Sequence, residues 1–192
     1  MSSAEAELSI AGMRRKRMSL EEWRALPEDL HAEWVNGWAV WPVSPPTFGH
    51  GKGQFQLSVL LATALPGLIG ATESFTSMPG NRIRLPDVAL VANEPDGDTI
   101  IDPPVLVAEV LSPSTQGQDL VTKAHEYAGA GVEHYWILDP MQRRLEVFDL
   151  VDGGWVSQAV LDHEHPTGTM TVGEHGSVEV DVRTLLPGRS EG

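Results

Sequence analysis

Glu109 stands inside Val105-Leu106-Val107-Ala108-Glu109-Val110-Leu111, a run apolar on both faces except for that one carboxylate. Such a run reads as a central strand buried on both sides. A carboxylate there is costly unless it is paired, protonated or bound to a cation. It is either a buried acid satisfied by an Arg or Lys, or a perturbed carboxylate at a working site. Asp87 follows Pro86 and opens Val88-Ala89-Leu90-Val91. It reads as a turn residue after proline, or as a second acid beside Glu109 if the two segments pair. Two hard oxygen ligands from adjacent strands, with positions left for water and phosphate, suit Mg²⁺. Lys123 lies on the helix that follows the Glu109 strand, with Asp119 and Tyr127 one turn to either side. It either pairs with Asp119 on an exposed face or points at the two acids. At the acids, an ammonium would orient or help deprotonate a water and offset charge developing on phosphate.

Several elements must position these groups. Ser19-Leu20-Glu21-Glu22 is a capping box opening a short helix to about Leu26, stopped by Pro27. Glu33-Trp34-Val35 and Trp38-Ala39-Val40-Trp41 flank Asn36-Gly37 and read as a two-stranded ribbon. From about His50, Phe55, Val59, Ala62 and Leu65 recur at helical spacing, giving a helix with one apolar face ended by Pro66-Gly67. Arg82 to Val91 and Val105 to Leu111 read as two strands joined by a loop rich in Asp, Gly and Pro. A helix capped by Thr115 with Gln118 runs to about Ala128, its apolar side Leu120, Ala124, Tyr127 and Ala128. His134 to Leu138 is a further strand, Leu145 to Val160 a hairpin turning at Asp152-Gly153-Gly154, and Val178 to Val182 one more strand. The order implies a mixed α/β fold with a central sheet. Residues 1–17 read as a disordered leader, or alternatively as a phosphate-contacting arm, and 18–192 as one domain with a C-terminal β-hairpin extension.

Composition bounds the chemistry. The 192 residues suit a single domain with a real core. With no cysteine there is no disulfide, thiolate metal site or Cys nucleophile. The first residues carry Glu5 and Glu7 rather than a signal-peptide apolar core, and Leu57 to Ile69 is too short to span a bilayer, so a cytoplasmic protein without a membrane partner is expected. Gly49-x-Gly51-x-Gly53 lacks the strand and spacing of a nucleotide fingerprint, and no Gly-x-Ser-x-Gly elbow occurs, so neither a nucleotide cofactor nor a serine nucleophile is expected. His163-Glu164-His165 and His175 read as solvated surface residues, whereas His50 is the better accessory candidate. Thirteen Lys and Arg against 27 Asp and Glu give a net charge of -14, an unpromising footprint for nucleic acid. The basic exception is Arg14-Arg15-Lys16-Arg17.

Leu85-Pro86-Asp87-Val88, Leu106 to Thr115, Asp119-Leu120, Lys123, Tyr127 and Ala130-Gly131-Val132-Glu133-His134-Tyr135-Trp136-Ile137-Leu138-Asp139-Pro140 together form an ordered pattern. With Glu33 to Gly37 and the Ser44-Pro45-Pro46…His50 segment, it resembles the Uma-two family of restriction-endonuclease-like proteins, within the PD-(D/E)XK nuclease superfamily. The resemblance covers about Ser19 to Leu150 and implies a restriction-endonuclease-like core, a mixed sheet flanked by helices. It implies Mg²⁺-dependent hydrolysis of DNA phosphodiester bonds, with Mn²⁺ as a substitute ion. Mapped onto this chain, Asp87 and Glu109 are the implied metal ligands, joined by the backbone carbonyl of Val110. The superfamily's usual Lys position is occupied by Leu111, which makes Lys123, on the following helix, the counterpart. Glu33 matches an early family acid that would hold a second ion or its waters, and Tyr127 is an accessory position. Arg82, Arg84 and Lys52 are the expected DNA contacts, with Arg84 also a candidate for stabilising the pentacovalent phosphate. A homodimer is expected because two strands are easily cut by a two-fold pair; its interface is expected on the Leu145 to Val160 hairpin. The rival is a non-enzymatic protein of the same fold binding a basic protein partner.

Overall fold

The structure, a computed structural model, describes residues 8–10, 12–112 and 118–186. Thr115 of the expected helix cap, and residues 1–7 and 11 of the expected leader, lie outside them. Strands β1 (Leu8–Ile10), β2 (Met13–Arg17), β3 (Glu33–Val35), β4 (Trp38–Pro42), β6 (Thr76–Met78) and β7 (Arg82–Arg84) form an antiparallel sheet in the order β1-β2-β4-β3-β7-β6. Helix α1 (Leu20–Arg24) packs on it, opened by the Ser19–Glu22 capping box. Trp23, Ala32, Trp34, Ala39 and Ile83 form the small core beneath. Asn36 and Gly37 have φ of 51° and 85°, the two positive angles of a type I′ turn, so the β3–β4 hairpin follows from its turn dipeptide.

The basic run expected in a disordered leader is instead strand β2. It completes the free edge of β4, and the Arg15 guanidinium lies 4.9 Å from the Trp38 ring centroid. The ribbon read at Glu33 to Trp41 is accordingly the middle of a larger sheet.

A second, mixed sheet runs β12-β11-β10-β9-β8-β5, with β5 (Ile69–Thr72), β8 (Val88–Val91), β9 (Leu106–Val110), β10 (His134–Asp139), β11 (Arg144–Val151) and β12 (Gly154–Leu161). Only β9 and β10 pair in parallel, joined by the crossover helix α3 (Gln118–Ala130); the other pairs are antiparallel. Alternation along β9 divides its residues between two cores. Leu106, Ala108 and Val110 face helix α2 (Phe48–Ala64), while Val107 joins Tyr127, Val132 and Tyr135 under α3. By the same period Glu109 is turned toward α3.

Three further expectations are corrected. Arg82 to Val91 is two strands in two sheets, divided at Leu85-Pro86-Asp87, because Pro86 has no N–H to continue a ladder. Helix α2 buries His50, Gly53, Leu57 and Leu61, leaving Phe55 64% and Val59 46% exposed. Apolar residues occupy both sides of α2, so spacing alone does not choose a face. Gly53 does: a Cβ there would stand 2.9 Å from Leu138 Cδ2 and 3.1 Å from Val110 Cγ1. The hairpin read at Leu145 to Val160 is not an extension; β11 joins β10 and continues the central sheet. Its turn has Asp152 and Gly153 at φ of 49° and 78°. The polar segment around His163 leads into β13 (Thr167–Val172), which pairs with β14 (Gly176–Asp181) ahead of α4 (Val182–Leu185) and covers α2. His163 and His165 themselves are exposed.

Candidate active site

Four elements bring Glu33, Asp87, Glu109 and Lys123 to one cleft of about 490 Å³, which His50 and Val110 also line. Val88 pairs with Ala108, so Asp87, one residue earlier, stands beside Glu109 at the end of the β8–β9 ladder. Its Oδ2 accepts a hydrogen bond of 2.6 Å from the Val110 N–H, and Gln54 Nε2 donates to its backbone carbonyl at 3.1 Å. On α3, Lys123 and Tyr127 are one turn apart and both reach Glu109 Oε1, at 3.2 and 2.6 Å.

Both contacts of Glu109 fall on Oε1, leaving Oε2 without a protein partner among the described residues. Burial is the largest influence on this acid and pushes its pKa up to about 7. The Asp87 and Glu33 charges act in the same direction, while Lys123 and the Tyr127 hydrogen bond oppose. Tyr127 is itself held well above its ordinary value by burial and by the neighbouring Glu109.

Glu33 is 5% exposed and has both oxygens engaged. Oε2 meets Arg84 Nη1 at 2.6 Å, while Oε1 lies 3.0 Å from Lys123 Nζ and accepts from the Leu85 N–H at 3.1 Å. Burial alone would raise its pKa, but Lys123 and Arg84 together outweigh it and hold it below the usual carboxylate value. In this arrangement Glu33 fixes the place of Lys123 while Arg84 and the Leu85 N–H fix Glu33.

The expected DNA contacts are placed otherwise. Arg84 is 3% exposed, and its Nε meets Glu126 Oε2 at 2.6 Å. A guanidinium clamped between two carboxylates inside the protein orients Glu33 and does not face a phosphate. Arg82 Nε lies 3.0 Å from Glu126 Oε1. Lys52 donates to the Leu186 carbonyl at 2.7 Å, tying α2 to the end of α4. Glu126 carries no mark of its own in the sequence; its place three residues after Lys123, on the same helical face, is the signal that finds it.

His50 Nε2 lies 3.3 Å from Asp87 Oδ1. Burial depresses its pKa most, yet hydrogen bonding and charge from Asp87, then the Val110 backbone and Glu109, raise it on balance. The imidazole thus sits against an Asp87 oxygen and beside the Val110 backbone. Among the described residues no three His, Asp or Glu groups are spaced to hold a metal ion unaided. The residues that could hold a divalent ion are Asp87, Glu109 and the Val110 carbonyl, all hard oxygen donors. That chemistry fits Mg²⁺.

A family model described as "Uma2: Putative restriction endonuclease" matches residues 19–178. The chain belongs to the Uma2 family. Glu33, His50, Asp87, Glu109 and Lys123 all lie within the Uma2 span, whereas β2 precedes it. A solved structure from Anabaena variabilis, described as "a putative nuclease belonging to DUF820", is similar at a TM-score of 0.69 and 20% identity, covering 88% of this chain and 97% of that one. That likeness shows the fold, a mixed sheet flanked by helices as expected. No curated protein matches the Uma2 chain. Among the described residues, no helix is long and apolar enough to cross a membrane.

Proposed function

We propose that this Uma2 protein is a metal-dependent endonuclease that hydrolyses DNA phosphodiester bonds, with Mg²⁺, or Mn²⁺ in its place, held by Asp87, Glu109 and the Val110 carbonyl. The observation that carries this reading is the junction of Asp87 and Glu109 at one strand end, with the Lys123 ammonium 3.2 Å from Glu109. A divalent ion bound there supplies Lewis acidity toward phosphate and lowers the pKa of water. Lys123, fixed between Glu109 and Glu33, holds the attacking water in place and offsets negative charge accumulating on the phosphate. Tyr127 donates to the same Glu109 Oε1 and fixes that side chain, and Arg84 holds the other oxygen, Oε2, of Glu33. His50 Nε2 holds Asp87 Oδ1 from the α2 side.

Incubation of plasmid DNA with Mg²⁺ tests this: Asp87→Ala and Glu109→Ala abolish cleavage, and unchanged cleavage in either overturns the assignment. A scaffold that binds a basic protein is separated by calorimetric titration with Mn²⁺, because it has no reason to bind the ion.

We also propose a homodimer, formed through α2 rather than the β11–β12 hairpin. Residues 34–72 contain no Asp or Glu in a chain of net charge -14, and this acid-free region exposes Phe48 (81%), Phe55 (64%) and Val59 (46%) along one helix. Within α2 the only Lys, Arg, Asp or Glu is Lys52, so the helix itself brings no acid against a second acidic copy.

A further inference from the structure

Arg84 is enclosed, and Arg82 and Lys52 are held by Glu126 and the Leu186 carbonyl, so the cations expected to meet DNA are engaged within the protein. Strand β2 carries four more. In β2, Arg15 pairs with Val40 of β4, and Val40 pairs with Glu33 of β3. Directly paired residues project to the same face of a sheet, so Arg15, Val40 and Glu33 form one row across three strands. Period two places Met13 and Arg17 on that face as well. Met13 and Val40 line the cleft that holds Asp87, Glu109 and Lys123. Adjacent strands are about 4.8 Å apart, so the row carries Arg15 roughly 10 Å from the Glu33 backbone, about three base-pair rises of 3.4 Å.

Arg15 is already organised for a ligand. Its guanidinium is stacked 4.9 Å over Trp38, and its Nε is buried with no hydrogen-bond partner among the described residues. Arg17 is exposed. β2 also lies before residue 19, outside the span matched by the family model. It is a basic strand added to an acidic nuclease-like core, where the general field repels nucleic acid and only a concentrated local charge overcomes it.

We propose that β2 is a phosphate-binding strand in which Arg15 and Arg17 seat the nucleic-acid backbone beside the scissile bond. The inference rests on the nuclease reading for its substrate but is read by binding alone. The test is fluorescence anisotropy with a labelled DNA duplex in chelator across a salt series, using the full chain. Arg15→Gln with Arg17→Gln weakens binding and reduces the slope of log K against log salt by about 2, at about 0.9 for each phosphate left unneutralised. Arg24→Gln, on α1 outside the row, leaves the slope as in the wild type. The exposed Arg17→Gln alone lowers the slope by about 1 and serves if the double variant does not fold, as judged by circular dichroism. An unchanged slope in the Arg15 and Arg17 variants, an equal fall in Arg24→Gln, or no duplex binding by the wild type overturns the proposal. Failure of the nuclease reading shows separately, as wild-type protein that binds the duplex with the stated slopes and does not cut it with Mg²⁺.

Discussion

The ammonium of Lys123 lies 3.2 Å from Oε1 of Glu109, a carboxylate whose pKa stands at about 7. The same nitrogen is 3.0 Å from Glu33 Oε1, so one cation serves two buried acids. Removing one member of a buried ion cluster leaves uncompensated charge and costs about 3–5 kcal/mol. Lys123→Met is therefore expected to lower stability in chelator by that order and to reduce cleavage by about 10²–10⁴-fold, the usual share of a positioned proton-transfer group. Urea denaturation and plasmid nicking rates measure the two effects. Wild-type cleavage in this variant would remove Lys123 from the catalytic group.

The raised pKa of Glu109 has a defined sign. Between its ordinary value of 4.5 and about 7, the folded protein retains a proton that the unfolded chain has released. The unfolding free energy contributed by this residue is therefore full below about pH 4.5, falls as pH rises, and is lost above about pH 7. In chelator, Glu109→Gln is expected to flatten that decline when urea unfolding is compared at about pH 5 and about pH 8. Identical pH slopes for variant and wild type would show that Glu109 ionises normally in the fold.

Gly53 offers a steric test of the link between α2 and the site. A methyl group would meet Leu138 Cδ2 at 2.9 Å and Val110 Cγ1 at 3.1 Å, both on fully or nearly fully buried residues. Gly53→Ala is expected to destabilise by about 1–3 kcal/mol through overpacking, and to weaken Mn²⁺ affinity because Val110 is displaced. Calorimetry reads both, and a neutral effect would mean that α2 moves freely away from β9.

For the dimer, Phe55→Glu places a charge in the centre of the exposed α2 face. Sedimentation equilibrium is expected to show wild-type dimer and variant monomer. A wild-type monomer at high protein concentration would exclude this interface.

The acids Asp87 and Glu109 are legible in the sequence because each breaks a pattern: an Asp between proline and an apolar run, and a carboxylate within an apolar strand. Lys123 is legible through its place on the crossover helix. The roles of Arg84 and Lys52 are not, since a sequence shows that a residue is cationic but not that Glu126 or the Leu186 carbonyl faces it. The short strands β5 and β6 and the polar β13 escape a reading of the sequence, because their few residues carry no alternation strong enough to mark them. Strand β2 is hidden for another reason. Four consecutive cations look like a solvated tail until β4 supplies the open edge that orders them.

The division of the chain at Pro86 has a consequence for the cell that makes this protein. Glu33 and Arg84 belong to one sheet, Asp87 and Glu109 stand at the end of the β8–β9 ladder in the other, and Lys123 reaches an acid of each. Neither sheet alone assembles the constellation. A nascent or partly unfolded chain therefore holds scattered charges and no assembled site, so the proposed capacity to cut DNA arises only once the two layers have closed on each other.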